Sequence, residues 1–218
     1  MTNITIRELK PEDLDEYCGF LYVNFYGHEP VLQTSGDHKF DPDTAERRAS
    51  RLAVIKQGLS LVAVDSSDGG RIVASAYASS KVPDDLEKSW NEVNEKKPTE
   101  FIDHVYLFLR GVEKRSNIFH HFEVCKALYL NILSVDATVR NQGLGRRLVA
   151  ALIELGRSKG FPIIATSCTS WYSTRVMEAL GMSCGYSENY SDYRDEDGNV
   201  VIKPPEPHTS VNIMAMNL

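Results

Sequence analysis

The stretch Leu133-Ser-Val-Asp-Ala-Thr-Val-Arg140-Asn-Gln-Gly143-Leu-Gly145-Arg146-Arg147 constrains this chain more than any other. It reads as the end of a strand, a short turn, and two glycines that open an amphipathic helix with Leu144, Leu148, Ala151, Leu152 and Leu155 on one face. The first amides of a helix have no partners of their own, and glycine lets an anion approach without a Cβ in the way. Arg140, Arg146 and Arg147 add positive charge in a chain whose formal net charge is -6. The stretch therefore predicts a seat for a pyrophosphate, with plain turn chemistry as the structural alternative. A dinucleotide-binding fold would put a third glycine where Leu148 stands and an acidic residue about twenty positions on. A nucleoside triphosphate loop would end in Gly-Lys-Ser/Thr. The chain supplies neither.

Around that stretch, strands and helices alternate. Residues 127–135 read as a strand, 143–158 as a helix, 163–168 as a strand and 171–180 as a helix, which is a βαβ unit with short joints. Two further strands are expected near 184–193 and 211–216. Upstream, Ile4-Thr-Ile-Arg-Glu-Leu9 predicts a first strand. Pro11 suits the first position of a helix whose dipole Glu12, Asp13 and Asp15 complement, and Leu14, Tyr17, Cys18, Leu21 and Phe25 recur on one buried face. Gly27-His-Glu-Pro30 breaks that helix. A second helix is expected over 41–56, with 41–44 as cap and first turn, then strands at 60–65 and 72–82 joined by the turn Ser66-Ser-Asp-Gly-Gly70. Residues 83–124 carry helical patches around Phe101, Val105 and Phe108 and read as a helical excursion over the substrate side. The expected fold is mixed α/β, one twisted sheet of about seven strands flanked by helices, with 1–218 a single domain.

Composition narrows the function classes. An acidic chain with no long run of like charge is a poor non-specific binder of nucleic acid and is compatible with a cationic partner. The N-terminus alternates apolar and polar residues and carries charge early, unlike a secretory signal, and no stretch approaches the ~18 apolar residues of a spanning helix. A soluble, cytoplasmic protein, more readily a monomer than not, is the expectation. Cys18, Cys125, Cys168 and Cys184 show no CxxC pair and no histidine at metal-ligand spacing, so they read as reduced, packed thiols with no metal.

Arg140-x-x-Gly143-x-Gly145, following the Leu133-Ser-Val135 strand, resembles the acetyl-CoA signature of the GNAT superfamily of N-acetyltransferases. The resemblance implies the GNAT fold. It also implies acetyl-CoA as co-substrate, its pyrophosphate held by amides of Gln142, Gly143, Leu144, Gly145 and Arg146 beside Arg140 and Asn141, and its pantetheine arm paired with Leu133, Ser134 and Val135. Three further blocks, Phe25-Tyr-Gly-His-Glu29-Pro30, Cys168-Thr-Ser-Trp-Tyr-Ser173-Thr-Arg-Val-Met-Glu-Ala-Leu-Gly181 and Lys203-Pro-Pro-Glu-Pro-His208, together resemble the insect arylalkylamine N-acetyltransferase group. That likeness implies transfer of an acetyl group to the primary amine of a small arylalkylamine such as dopamine, tyramine or serotonin. Agmatine, a polyamine or a protein amino group is the alternative acceptor, and a non-catalytic acyl-CoA-binding protein the alternative class.

Amide formation needs the neutral amine. With a pKa of ~10.4, an alkylamine near neutral pH offers about one molecule in a thousand, a deficit of roughly 4 kcal/mol. A general base is therefore useful, and the resemblance points to Glu29, with Pro30 fixing its direction. At a pKa of about 4.3 an unperturbed Glu is a weak base, so burial or a water relay would have to help it, and a solvated turn carboxylate is the bland alternative. Many GNAT members carry a tyrosine acid four residues before the glycine that ends the fourth helix. Here that position is Met177. Ser173 matches a serine of the insect group with an acid or ordering role, Thr169 and Tyr172 are secondary candidates, and any of Thr169, Ser170 or Ser173 could instead be a helix cap. His208 matches a family histidine that shapes the amine site, though a lone histidine more often packs than catalyses. Tyr22, Phe25, Tyr26, Tyr106, Phe119 and Tyr129 could line an aryl pocket, with core packing the stronger expectation. Direct transfer in a ternary complex is expected, with no cysteine as acyl carrier.

Overall fold

The computed structural model of the protein describes residues 3–34 and 41–218, so Met1 and Thr2 of the N-terminal stretch lie outside the described residues. Its sheet has seven strands: β1 (Ile4–Glu8), β2 (Leu61–Asp65), β3 (Arg71–Lys81), β4 (Ala127–Val135), β5 (Ile163–Cys168), β6 (Ser183–Asn189) and β7 (Ser210–Asn217). Their spatial order is β1-β2-β3-β4-β5-β7-β6. Among the described residues only β4 and β5 run parallel, and the crossover between them is the helix that follows the glycine stretch. The mixed sheet expected from one βαβ unit flanked by hairpins is the one observed.

Among the described residues, seven α-helices cover the two faces: α1 (Leu14–Leu21), α2 (Ala45–Ile55), α3 (Pro83–Asn94), α4 (Phe101–Ser116), α5 (Ile118–His121), α6 (Leu144–Ser158) and α7 (Trp171–Glu178). Alternation along the strands divides the apolar residues between the faces. Leu61, Ala63, Leu128, Leu130, Ile164 and Met214 pack with Leu144, Leu148 and Leu152 of α6 and Met177 of α7. On the other face, Val62, Val64 and Tyr77 meet α1 and α2. Farther along that face, Tyr129, Ala165 and Ile213 meet Val105, Phe108 and Val112 of α4. The stretch 83–124 is helical over most of its length, as its patches suggest.

Three boundaries differ from the sequence reading, each for a local reason. The first helix is not uniform: Pro11–Asp13 is a 3-10 turn, α1 follows, and Tyr22–Tyr26 is widened into a π turn. In that last turn the Asn24 amide donates to the Phe20 carbonyl at 3.2 Å, and a side chain that takes a backbone acceptor disturbs the regular ladder. The second helix begins at Ala45 with Thr44 as its cap, accepting from the Arg47 amide at 3.3 Å, so 41–44 precede it. Strand β6 stops at Asn189 and Tyr190–Asp192 turns inward, because the Tyr190 ring is buried with its centroid 5.7 Å from that of Phe108.

Candidate active site

The two parallel strands form a fork. β4 and β5 are paired only through Leu128–Ile164, Tyr129–Ala165 and Leu130–Thr166, and beyond Leu130 the strand β4 continues to Val135 beside β3 alone. Asn131 is an extra residue in β4, since Tyr77 opposes Ile132 while Ala78 opposes Leu130, and such a bulge bends a strand away from its neighbour. Leu133, Ser134 and Val135 therefore have no strand on their β5 side. Their unpaired edge is where an extended ligand could add itself by backbone hydrogen bonds.

At the tip of β4 the chain turns into α6. Asp136 accepts from the Thr138 amide at 2.8 Å and from Arg71 at 2.6 Å, and Arg140 Nε donates to the Val135 carbonyl at 3.0 Å. Asn141 and Gly143 have φ of 62° and 70°, the left-handed region that glycine enters without strain. No side chain caps α6, and a Cβ placed on Gly143 would meet nothing within 4 Å. Gly145 packs closely, with a Cβ there reaching Val135 and Leu133 at 3.6 and 3.7 Å. The first-turn amides of Leu144, Gly145 and Arg146 thus face open space. Arg140 and Arg146 stand exposed at the same end, Arg146 donating to the Ala179 carbonyl at 3.3 Å. This uncapped, cation-flanked helix start fits a pyrophosphate.

The end of β5 gathers residues that lie far apart in the chain. Glu29 is only 9% exposed, and its Oε1 has no hydrogen-bond partner. Burial raises its pKa above the ordinary 4.5, while the Thr169 hydroxyl and the Val31 amide pull it down without restoring it. Pro30 and Val31 are buried, Val31 in the same apolar cluster as α4 and Tyr190, which fixes the Glu29 turn from below. The Tyr190 hydroxyl donates to the Thr169 carbonyl at 2.7 Å. The Cys168 thiol is buried and is pushed up to about 12 by that burial, against weaker opposite pulls from Ser173 and Thr174. At neutral pH it is a packed thiol, poorly suited to nucleophilic attack.

Helix α7 starts at this same place. Ser170 is its cap, accepting from the Ser173 amide at 3.0 Å, and the Ser173 hydroxyl donates to the Ser170 carbonyl at 2.9 Å. Among the serine and threonine candidates, then, the cap is Ser170. His208 is drawn onto the helix start, its Nδ1 accepting from the Trp171 amide at 3.0 Å and its ring 5.5 Å from that of Tyr172. Desolvation lowers the His208 pKa, in keeping with an acceptor nitrogen that carries no proton. Tyr172 is 61% exposed, and Met177 fills the core under the helix. Of the aromatic candidates, Phe119 and Tyr129 are buried core residues, Phe25, Tyr26 and Tyr106 are half-buried, and Tyr22 faces solvent. Among the described residues no cluster of three or more His, Cys, Asp or Glu forms a metal site, and no helix is long and apolar enough to cross a membrane.

Sequence reading missed Tyr190 and a buried polar chain below the fork. In that chain Glu113 of α4 accepts from Arg110 at 2.8 Å, from Lys81 at 3.3 Å and from the Ser167 hydroxyl at 3.2 Å, and Ser167 lies 2.6 Å from the Tyr129 hydroxyl. A signal existed for Glu113. It falls on the row of every fourth residue from Val105 through Leu109, so it is a carboxylate on the apolar stripe of its helix.

The model of the Acetyltransferase (GNAT) family matches residues 117–186, the span that contains the fork, the glycine loop and α7. Among solved structures, a polyamine N-acetyltransferase of Drosophila melanogaster that catalyses the formation of N-acetylagmatine is 29% identical. It superposes with a TM-score of 0.85 over 99% of this chain and 100% of its own. Arylalkylamine N-acetyltransferase 2 of Aedes aegypti is 27% identical with a TM-score of 0.88 over 99% of both chains. A mosquito arylalkylamine N-acetyltransferase like 5b is 25% identical with a TM-score of 0.86, over 99% of this chain and 100% of that one.

Proposed function

We propose that this chain, whose residues 117–186 match the GNAT acetyltransferase family, is an N-acetyltransferase acting on amines, its acceptor the primary amine of a small arylalkylamine such as dopamine, tyramine or serotonin. The acetyl donor is acetyl-CoA, which supplies an acyl group activated as a thioester. Gln142 to Arg146, with Arg140 and Asn141, hold its pyrophosphate at the uncapped start of α6, and the unpaired edge of Leu133 to Val135 holds its extended arm.

The observation that carries the catalytic reading is Glu29, a buried carboxylate with one unpartnered oxygen at the end of β5 and a raised pKa. Glu29 takes the proton that the acceptor nitrogen sheds as its bond to the acetyl carbon forms and the carbon–sulfur bond breaks. Pro30 holds the direction of that carboxylate, and Thr169 steadies it. Ser173, whose own hydroxyl proton goes to the Ser170 carbonyl, orders the start of α7 beside the departing thiolate. His208 and Tyr172 form one wall of the amine entrance. Transfer is direct, because the Cys168 thiol is held too high to serve as an acyl carrier.

An aromatic acceptor is supported by the arylalkylamine N-acetyltransferases among the similar structures and by the exposed rings of Trp171 and Tyr172 beside His208. The test of the base is the Glu29→Ala enzyme. It should lose at least about tenfold in kcat at neutral pH, with the loss shrinking as pH approaches the acceptor's own pKa. A wild-type rate throughout that range would remove Glu29 from the mechanism.

A further inference from the structure

The buried chain beneath the fork has no part in binding or proton transfer as described so far, yet it joins three strands and a helix at the place where the fork opens. Tyr129 is the middle of the three β4 residues paired with β5, and Ser167 follows the last β5 residue paired with β4 while still pairing with Ile213 of β7. Their hydroxyls are 2.6 Å apart. The direction of the bonds is set by Glu113, whose Oε1 must accept from Ser167, which leaves Ser167 to accept from Tyr129. Glu113 cannot swing away, because its other oxygen is gripped by Lys81 from β3 and Arg110 from α4. The Lys81 ammonium in turn rests on the Tyr129 ring, 3.6 Å from its centroid. Every member thus has a partner, and a fully satisfied buried network is rigid.

Ser167 is two residues before Thr169, which directly follows the end of β5 at Cys168. Whatever fixes Ser167 also fixes the backbone that presents Thr169 to Glu29. We infer that Glu113, acting through Ser167 and Tyr129, is a positioning residue for the reaction: it pins the tip of β5 at the fork so that Thr169 stays on the Glu29 carboxylate. The inference rests on the catalytic reading of Glu29 given above. The titratable groups facing Glu29 are Cys168 from β5 and Tyr190 from the turn after β6, while Lys81, Arg110 and Tyr129 face Glu113.

The test uses Ser167→Ala, which cuts the chain while leaving the three charges paired, and Ser167→Thr, which restores a hydroxyl. Steady-state kinetics are read beside the titration of Glu29 by carboxyl carbon NMR, assigned with Glu29→Gln. Ser167→Ala should lower kcat about tenfold with the acetyl-CoA KM changed less than about twofold, because small misplacements at a reacting centre are costly while donor binding is remote. The NMR titration of Glu29 should move to higher pH as the Thr169 contact weakens, and Ser167→Thr should recover most of both effects. An unmoved Glu29 titration in Ser167→Ala would overturn the inference, as would a rate loss that only tracks loss of folded protein. If the wild-type enzyme acetylates no amine, the functional reading fails, and the NMR titration still decides whether the chain positions Thr169.

Discussion

Glu29 stands where a carboxylate is costly to ionise, and that cost has a sign that can be measured. Its pKa is raised in the folded protein by burial. Its contribution to stability is therefore fully present below the ordinary value of 4.5 and is lost as pH rises through the folded value, so ionising this buried group costs the fold stability. Glu29→Gln removes that charge. The variant should melt about 2–4 °C higher than wild type at neutral pH, the shift expected for ~1 kcal/mol in a chain of this size, and the difference should close near pH 4. Calorimetry at the two pH values checks it, and a lower midpoint for the variant at neutral pH would contradict the burial argument. Residues of this kind are poorly legible in a sequence. Glu29 stands out there through its neighbours in the Gly27-His-Glu-Pro30 turn and the family likeness, whereas its burial also depends on α4 and Tyr190, which are distant in the chain.

Among the elements, α6 and the loop before it were the most legible, because the information is local. A strand, a turn, two glycines and a one-sided apolar helix follow one another between residues 127 and 158, and the structure sets them out in that order. At Gly143 the left-handed φ of 70° strains any side chain, although open space lies beside it. A β-branched residue is strained there and its Cβ projects into the approach to the first amides. Gly143→Val should therefore raise the KM for acetyl-CoA about tenfold while kcat at saturation changes less than about threefold, a loss of binding without a loss of chemistry. An unchanged KM would separate the loop from the donor. The π turn at Tyr22–Tyr26 and the inward turn at Tyr190–Asp192 were not legible, since Asn24 and Tyr190 take partners that no periodicity announces.

In the whole molecule the sheet does the gathering. The fork of β4 and β5 opens at the C-terminal ends of this parallel pair, where ligands of α/β folds sit, and the Glu29 turn, the Ser170 cap and His208 converge on the same edge from three regions of the chain. The seven-stranded mixed architecture followed from the order of strand and helix patterns. The polar chain of Lys81, Arg110, Glu113, Tyr129 and Ser167 did not, because its members come from β3, α4, β4 and β5 and meet only in three dimensions. The central claim, that the acceptor is an arylalkylamine, is tested most directly by thiol release from acetyl-CoA across a panel of tyramine, dopamine, serotonin, agmatine and spermidine. The account predicts a kcat/KM at least about tenfold higher for the three aromatic amines. A higher value for agmatine or spermidine than for any aromatic amine would contradict it.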